Sequence, residues 1–212
     1  MTSYMGTIIR ITALSLLMGT SLRLTAQDRM PPISTEKMTE EQKKAVAEFR
    51  ADRKAELTGP WIALLRSPEV LTRARVLSDY LRFTSVLPPK LSEFVILMTA
   101  RQWTQQYEWN AHYQIAMTAG LNPNIAKAIA EGRRPEHMGE DEESLYDFCL
   151  ELQRNQSVSD ATYARAVSRF GEKGVIDTVG LVGYYTMIGM VLNTARSPLP
   201  AGATPALAPF PR

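Results

Sequence analysis

Apolar positions along the chain recur at helical rather than alternating intervals. After Thr39 and the acidic pair Glu40 and Glu41, which read as a helix start, the charge-rich run EEQKKAVAEFRADRKAEL carries a thin apolar stripe at Ala45, Phe49 and Leu57. That pattern predicts a peripheral helix. The break TGPW, Thr58 to Trp61, leads into IALLRSP, a short apolar turn or helix stopped by Pro68. A longer helix is expected from Pro68 to Val86, with Val70, Leu77 and Leu81 facing inward. Pro88 and Pro89 open the next segment, as prolines do at helix starts, and apolar density from Lys90 to Trp103 predicts a core helix. A second run from Gln105 to Ala119 ends at Gly120, a natural C-terminal stop. Asn122 and Pro123 restart a short helix ending near Gly132, and the polar RRPEHMGEDEE reads as a solvated loop. Helices then cover Glu142 to Arg154, Asp160 to Phe170 and Glu172 to Ala195, the last two separated by Gly171. From Ser197 the proline-rich tail should wrap a surface or remain mobile.

No strand-like alternation with regular turn signals occurs, so the fold class expected is all-α. GLVGYYTMIGMVLNTA is the most apolar stretch of the later helices, and its length suits a buried helix better than a membrane span. Gly180, Gly183 and Gly189 would let another helix approach closely, in the core or at an oligomer seam.

Composition narrows the possible partners. The 212 residues can bury a substantial core in one domain. Of the 24 basic residues, Arg10 and Arg23 precede Gln27, and removing those two leaves 22 basic against 22 acidic residues. A neutral chain gives no electrostatic ground for nucleic acid or an anionic membrane as partner. The single cysteine, Cys149, excludes an intramolecular disulfide, a CxxC redox pair and a cysteine-rich zinc site. Residues 1–26 differ in kind: Arg10 precedes the apolar ITALSLLM, and Leu24-Thr25-Ala26 offers a cleavage site before Gln27. A signal peptide and a periplasmic or secreted protein are expected, the alternative being an upstream start codon with Met30 or Met38 opening a cytoplasmic chain. The expected organisation is a signal peptide over 1–26, an N-terminal extension with a peripheral helix over 27–58, a helical domain over 59–196 and a proline-rich tail over 197–212.

The candidate chemistry sits in LSEFVILMTARQWTQQYEWNAHYQIAMTAGL, Leu91 to Leu121. Glu108 and His112 are four residues apart and share a helix face, so a carboxylate can orient the imidazole and raise its proton affinity. Two helices joined near Trp103 and Thr104 as an antiparallel pair would bring Glu93 across to His112. A glutamate among Phe94, Val95, Ile96 and Leu97 is costly to bury without such a partner. The pair by itself is also compatible with a structural contact, and the three side chains with a metal site.

This run, with YEWNAH at its centre, resembles the carboxymuconolactone decarboxylase family, the cofactor-free branch of the AhpD-like helical proteins. GPWIALLRSPEV is similar to the family's opening segment and GEKGVIDTVGLVGYYTMIGMVLNTA to its closing helix, so the resemblance spans roughly Gly59 to Pro200. It implies an AhpD-like bundle whose central antiparallel hairpin carries the site. In the thiol-dependent branch the hairpin holds Glu, a CxxC pair and His; the matching positions here are Glu93, Gln105 and Glu108, and His112. Both cysteines are absent, which removes the thiol peroxidase chemistry. The resemblance therefore implies a lyase of aromatic catabolism with Glu93, Glu108 and His112 as catalytic residues and no metal or organic cofactor. In it His112 is donor and reprotonating acid, Glu108 sets its charge and orientation, and Glu93 completes the relay. Arg101 is a candidate to hold a substrate carboxylate, and Trp61, Gln105, Trp109 and Tyr185 are candidates to line the pocket. The substrate implied is a small carboxylated lactone or related organic acid, and the assembly implied is a homotrimer or homohexamer. A non-enzymatic oligomeric binding protein and a metal-dependent variant are the alternatives.

Overall fold

The computed structural model describes residues 27–209; the expected signal peptide over 1–26 lies outside the described residues. Eight α-helices follow a short 3-10 turn: α1 (Glu40–Arg53), α2 (Pro60–Leu64), α3 (Pro68–Phe83), α4 (Pro89–Gln102), α5 (Gln106–Thr118), α6 (Pro123–Ala130), α7 (Glu140–Asn155) and α8 (Asp160–Ala195). Among the described residues there is no strand, and the fold is all-α.

The centre of the molecule is α4. Every residue from Leu91 to Arg101 is buried, because α5, α6, α7 and α8 all pack around it. A helix apolar on nearly every side has no solvent face to offer, and Phe94, Val95, Ile96 and Leu97 fill the core completely. The connection to α5 is short: Thr104 adopts φ 45°, a left-handed turn residue that folds α5 back along α4. Local chemistry sets the other boundaries. Thr39 and Gln42 exchange a capping box at the start of α1, and proline occupies the first turn of α2, α3, α4 and α6, where the missing N–H costs nothing. Gly171, at φ 68° and ψ 170°, breaks α8 where two helices were expected.

The structure corrects several expectations. In α3 the inward residues are Leu71, Ala74, Ser78 and Leu81, while Val70 and Leu77 are 43% and 45% exposed. Helix α3 has apolar residues on two faces, and packing against α1 and α8 chose between them. The acidic end of the expected loop, Glu140 to Glu143, is instead the first turn of α7, where negative charge favours the helix N-terminus. Glu142 is buried there, accepts the Gly139 N–H and meets Lys90 at 3.0 Å. Helix α1 ends at Arg53, short of Leu57, yet its Ala45, Val46 and Phe49 join the main core.

The proline-rich tail wraps a surface. Arg101 Nη1 donates to the Ala208 carbonyl at 2.7 Å, the Gln106 side chain accepts from the Ala206 and Leu207 N–H groups at 3.0 Å, and Leu207 is buried.

Helix α8 is long and apolar enough to cross a membrane, and 56% of its most apolar window is buried against the rest of the protein. Its Leu181, Ile188 and Leu192 lie in the main core. Buried Asp177 accepts from Tyr80 Oη at 2.9 Å and Val86 N at 3.0 Å, tying α8 to α3. Beside that tie Val76, Leu77, Phe83, Val86, Ile176 and Val179 remain exposed, an apolar surface shared by the two helices.

Candidate active site

Five elements converge on one cavity of about 220 Å³. From α5 come Tyr107, Glu108 and His112, from α8 Tyr184, Tyr185 and Ile188, and from α3 Ser78 and Arg82. Trp61 of α2 and Arg53 at the end of α1 complete the wall. Glu93, one turn into α4, reaches the imidazole from behind.

The start of α5 is held by Gln105, whose Oε1 accepts the Tyr107 N–H at 2.6 Å and whose Nε2 donates to Asn193 Oδ1 at 2.8 Å. One of the otherwise orphaned first-turn N–H groups is thereby satisfied, and α5 is locked to α8. Helical spacing then places Glu108 and His112 on the same face, with His112 Nε2 at 3.5 Å from Glu108 Oε2. Across the hairpin His112 Nδ1 donates to Glu93 Oε2 at 2.6 Å. The group that orients the imidazole is therefore Glu93, where helix spacing in the sequence pointed to Glu108. With Nδ1 engaged, Nε2 is the nitrogen left toward Glu108 and the cavity. Tyr185 packs edge-on against the ring, with centroids 5.0 Å apart, and fixes its plane.

All three members are buried: Glu93 and Glu108 are 4% exposed and His112 5%. Burial pushes the Glu108 carboxyl above its usual range; His112 and Arg82 oppose this, and Glu93 adds to it. Glu108 stands in the first turn of α5, where the helix dipole also favours its charged form, by about 0.3–1 kcal/mol at exposed sites. Desolvation of a carboxylate is worth several kcal/mol, so burial outweighs the dipole and the Glu108 carboxyl holds its proton to higher pH than usual. Burial likewise pushes Tyr184 up to about 12 and Tyr185 well above the ordinary phenol value, which keeps both hydroxyls as donors.

Of the candidate lining residues, Trp61 and Tyr185 border the cavity. Arg101, Gln105 and Trp109 do not. Arg101 points to the far side of α4 and holds the tail, Gln105 is a helix cap, and Trp109 stacks on Tyr113 at 6.2 Å. The arginines at the cavity are Arg53 and Arg82, which sequence reasoning passed over. Arg82 shares a face with Ser78 one turn earlier and follows buried Leu81, on the helix whose inward face the sequence pattern had placed at Val70 and Leu77. Tyr184 was missed beside Tyr185 because consecutive helix residues do not ordinarily face one site; here both rings reach it, 5.1 Å apart and nearly perpendicular.

Cys149 is fully buried on α7 among core residues, and burial pushes its thiol up to about 12. Among the described residues no group of three or more His, Cys, Asp or Glu side chains is arranged to hold a metal ion.

No family model and no curated protein matches the sequence. Solved structures do match in shape. A peroxidase-related protein from Ralstonia eutropha with the alkylhydroperoxidase AhpD core superposes with a TM-score of 0.64 at 16% identity, covering 78% of this chain and 88% of that one. The debrominase Bmp8, a cysteine-to-alanine variant bound to 2,3,4-tribromopyrrole, superposes with a TM-score of 0.64 at 11% identity, covering 83% of this chain and 94% of that one. The fold is thus the AhpD-like helical fold.

Proposed function

We propose that the protein is a cofactor-independent acid/base enzyme of the carboxymuconolactone decarboxylase type, acting on a small carboxylated lactone or a related organic acid. The observation that carries this reading is the buried row Glu93–His112–Glu108 at the wall of a cavity. One imidazole nitrogen is committed to Glu93 and the other faces an acid-favouring Glu108. Proton transfer is what such a row is built for. Solved structures of the same fold include a debrominase and a peroxidase-related protein, which supports enzymatic use of this cavity.

The chemistry follows from electron flow. A carboxylate on the carbon gamma to an unsaturated lactone carbonyl leaves as CO2 when its C–C bonding pair moves through the ring onto the carbonyl oxygen. The dienolate so formed needs hydrogen-bond donors at its oxygen, and the neutral hydroxyls of Tyr184 and Tyr185 are donors in this wall. A proton then returns to carbon from His112 Nε2, with Glu108 as the adjacent source and Glu93 stabilising the imidazolium. One proton is consumed for each CO2 released, which balances the step.

Partners and location complete the proposal. The apolar surface on α3 and α8 supports a homo-oligomer, a trimer or hexamer, assembled through that face. The leader pattern of residues 1–26 supports a periplasmic or secreted location.

The test is a substrate-profile screen of carboxylated lactones and related acids, followed by turnover of the best substrate. His112→Ala and Glu93→Gln should each lower turnover by roughly 10²-fold or more, the scale of a general acid/base group. A double variant, Glu108→Gln with His112→Ala, should be little worse than the poorer single. Wild-type turnover in folded His112→Ala would refute the reading.

A further inference from the structure

We infer that Arg82, with Arg53 beside it, is the carboxylate-binding element of this cavity, so that the site selects a small planar anion over a neutral molecule of the same shape. The inference rests on the proposed reading only for where the chemistry happens; charge recognition is carried by the arginines themselves.

Arg82 is the stronger member. Its side chain is 17% exposed, its Nε is buried with no hydrogen-bond partner, and its Nη2 stands 3.8 Å from Glu93 Oε1, too far for a hydrogen bond. The other Glu93 oxygen is taken by His112 at 2.6 Å. A guanidinium carries five donors in a planar fork and always keeps its charge. Leaving such a donor unmet behind a protein wall is costly, and a carboxylate arriving in the cavity would meet the charged end of this guanidinium.

Arg53 repeats the arrangement from another element. Its Nε is also buried without a partner, while Nη2 donates to Asp79 at 2.6 Å. Its guanidinium lies over the Trp61 ring, 4.7 Å from the centroid, and Trp61 lines the same cavity. The Asp79 contact fixes one edge of Arg53, and the guanidinium so held borders the cavity. Two arginines on α1 and α3 thus border a pocket walled by Trp61, Tyr184 and Tyr185, whose flat faces suit an unsaturated ring.

A purely structural role for Arg82, neutralising Glu93, would leave anion selectivity unmoved, and that difference is measurable. The probes are 2-furoate, a planar five-membered ring with one carboxylate, and 2-furamide, its uncharged counterpart. Binding to the full chain is read by calorimetry and by quenching of tryptophan fluorescence, to which Trp61 at the cavity contributes. Wild type should bind 2-furoate at least about tenfold more tightly than 2-furamide, the scale of a charge-assisted hydrogen-bond pair. Arg82→Gln should abolish that preference, weakening 2-furoate by about tenfold or more and 2-furamide by less than about twofold. Arg53→Gln should weaken 2-furoate by roughly threefold to tenfold, since Asp79 already engages one edge of its guanidinium. If Arg82→Gln fails to fold by circular dichroism, Arg82→Lys decides: it keeps the charge, loses the fork, and should weaken 2-furoate by roughly threefold to tenfold. His112→Ala should keep the preference for the anion even as turnover collapses, which separates this inference from the acid/base reading. Equal affinity of wild type for the two probes, no binding of either, or undiminished 2-furoate binding in folded Arg82 variants overturns it.

Discussion

Replacing Glu108 with glutamine should make the protein more stable and less active, with a pH dependence that identifies the cause. Glu108 is 4% exposed, and loss of hydration is the largest influence on its carboxyl, raising its proton affinity against the pull of His112 and Arg82. A carboxyl whose folded value is raised contributes stability that is complete below its unfolded value of about 4.3 and is lost as pH rises through the folded value. Above that value the folded protein carries an ionised group it solvates poorly. Glutamine keeps the shape and removes the charge. Relief of an under-solvated buried polar group is worth about 1–3 kcal/mol, and the helix-dipole attraction given up is about 0.3–1 kcal/mol. The net gain expected at about pH 8 is therefore about 1–2 kcal/mol, which at about 2–4 °C per kcal/mol for a chain of this size raises Tm by about 2–8 °C. Below the unfolded value, at about pH 4, wild type is neutral there too, and the two Tm values should agree within about 1–2 °C. Thermal melts by circular dichroism at both pH values, at equal protein concentration, measure this. A variant that melts below wild type at pH 8 would show that carboxylate–imidazole attraction outweighs desolvation. An advantage that persists unchanged at pH 4 would show that the effect is not ionisation, and either outcome refutes the reasoning.

Other expectations follow from single features. Cys149→Ala should leave turnover within about threefold, and native protein should not react with a thiol reagent until denatured, because the thiol is buried and pushed up to about 12. A tenfold loss of turnover without unfolding would show that the thiol matters. Gly59→Ala should lower Tm through a strain of about 1–3 kcal/mol, because Gly59 sits at φ 52° and ψ −125° and a Cβ there would overlap the Tyr107 ring at the cavity rim; an unchanged melt would count against this. Light scattering at micromolar concentration should find a trimer or hexamer, and Val76→Glu with Ile176→Glu should dissociate it, since both side chains lie exposed on the shared α3 and α8 surface. A wild-type monomer would sink that proposal.

Local patterns in the sequence were enough to place most of the helices and the break at Gly171, because hydrogen bonding within each helix and proline or glycine at its ends are decided by near neighbours, while the cap at Gln105 and the start of α7 were not read. Proximity of Glu108 and His112 was legible for the same reason: a spacing of four residues is a geometric property of one helix. Glu93 was legible through its cost, since a carboxylate in an apolar helix demands a partner and a short connection to α5 limits where that partner can be. The division of labour between the two glutamates was not legible. It depends on how far α4 lies from α5, which packing against α7 and α8 decides, and that distance gives Glu93 the 2.6 Å contact and leaves Glu108 at 3.5 Å. Arg101 shows the same limit from the other side. Its position on the site helix suggested a substrate contact, but the rotation of α4 aims it at the tail. Arg53 and Arg82 reach the cavity from helices far from the hairpin in sequence, and only the packing of α1 and α3 brings them there. Local spacing therefore determined that Glu108 meets His112, while the charges that border the cavity were placed by long-range packing, which leaves no period in the chain to read.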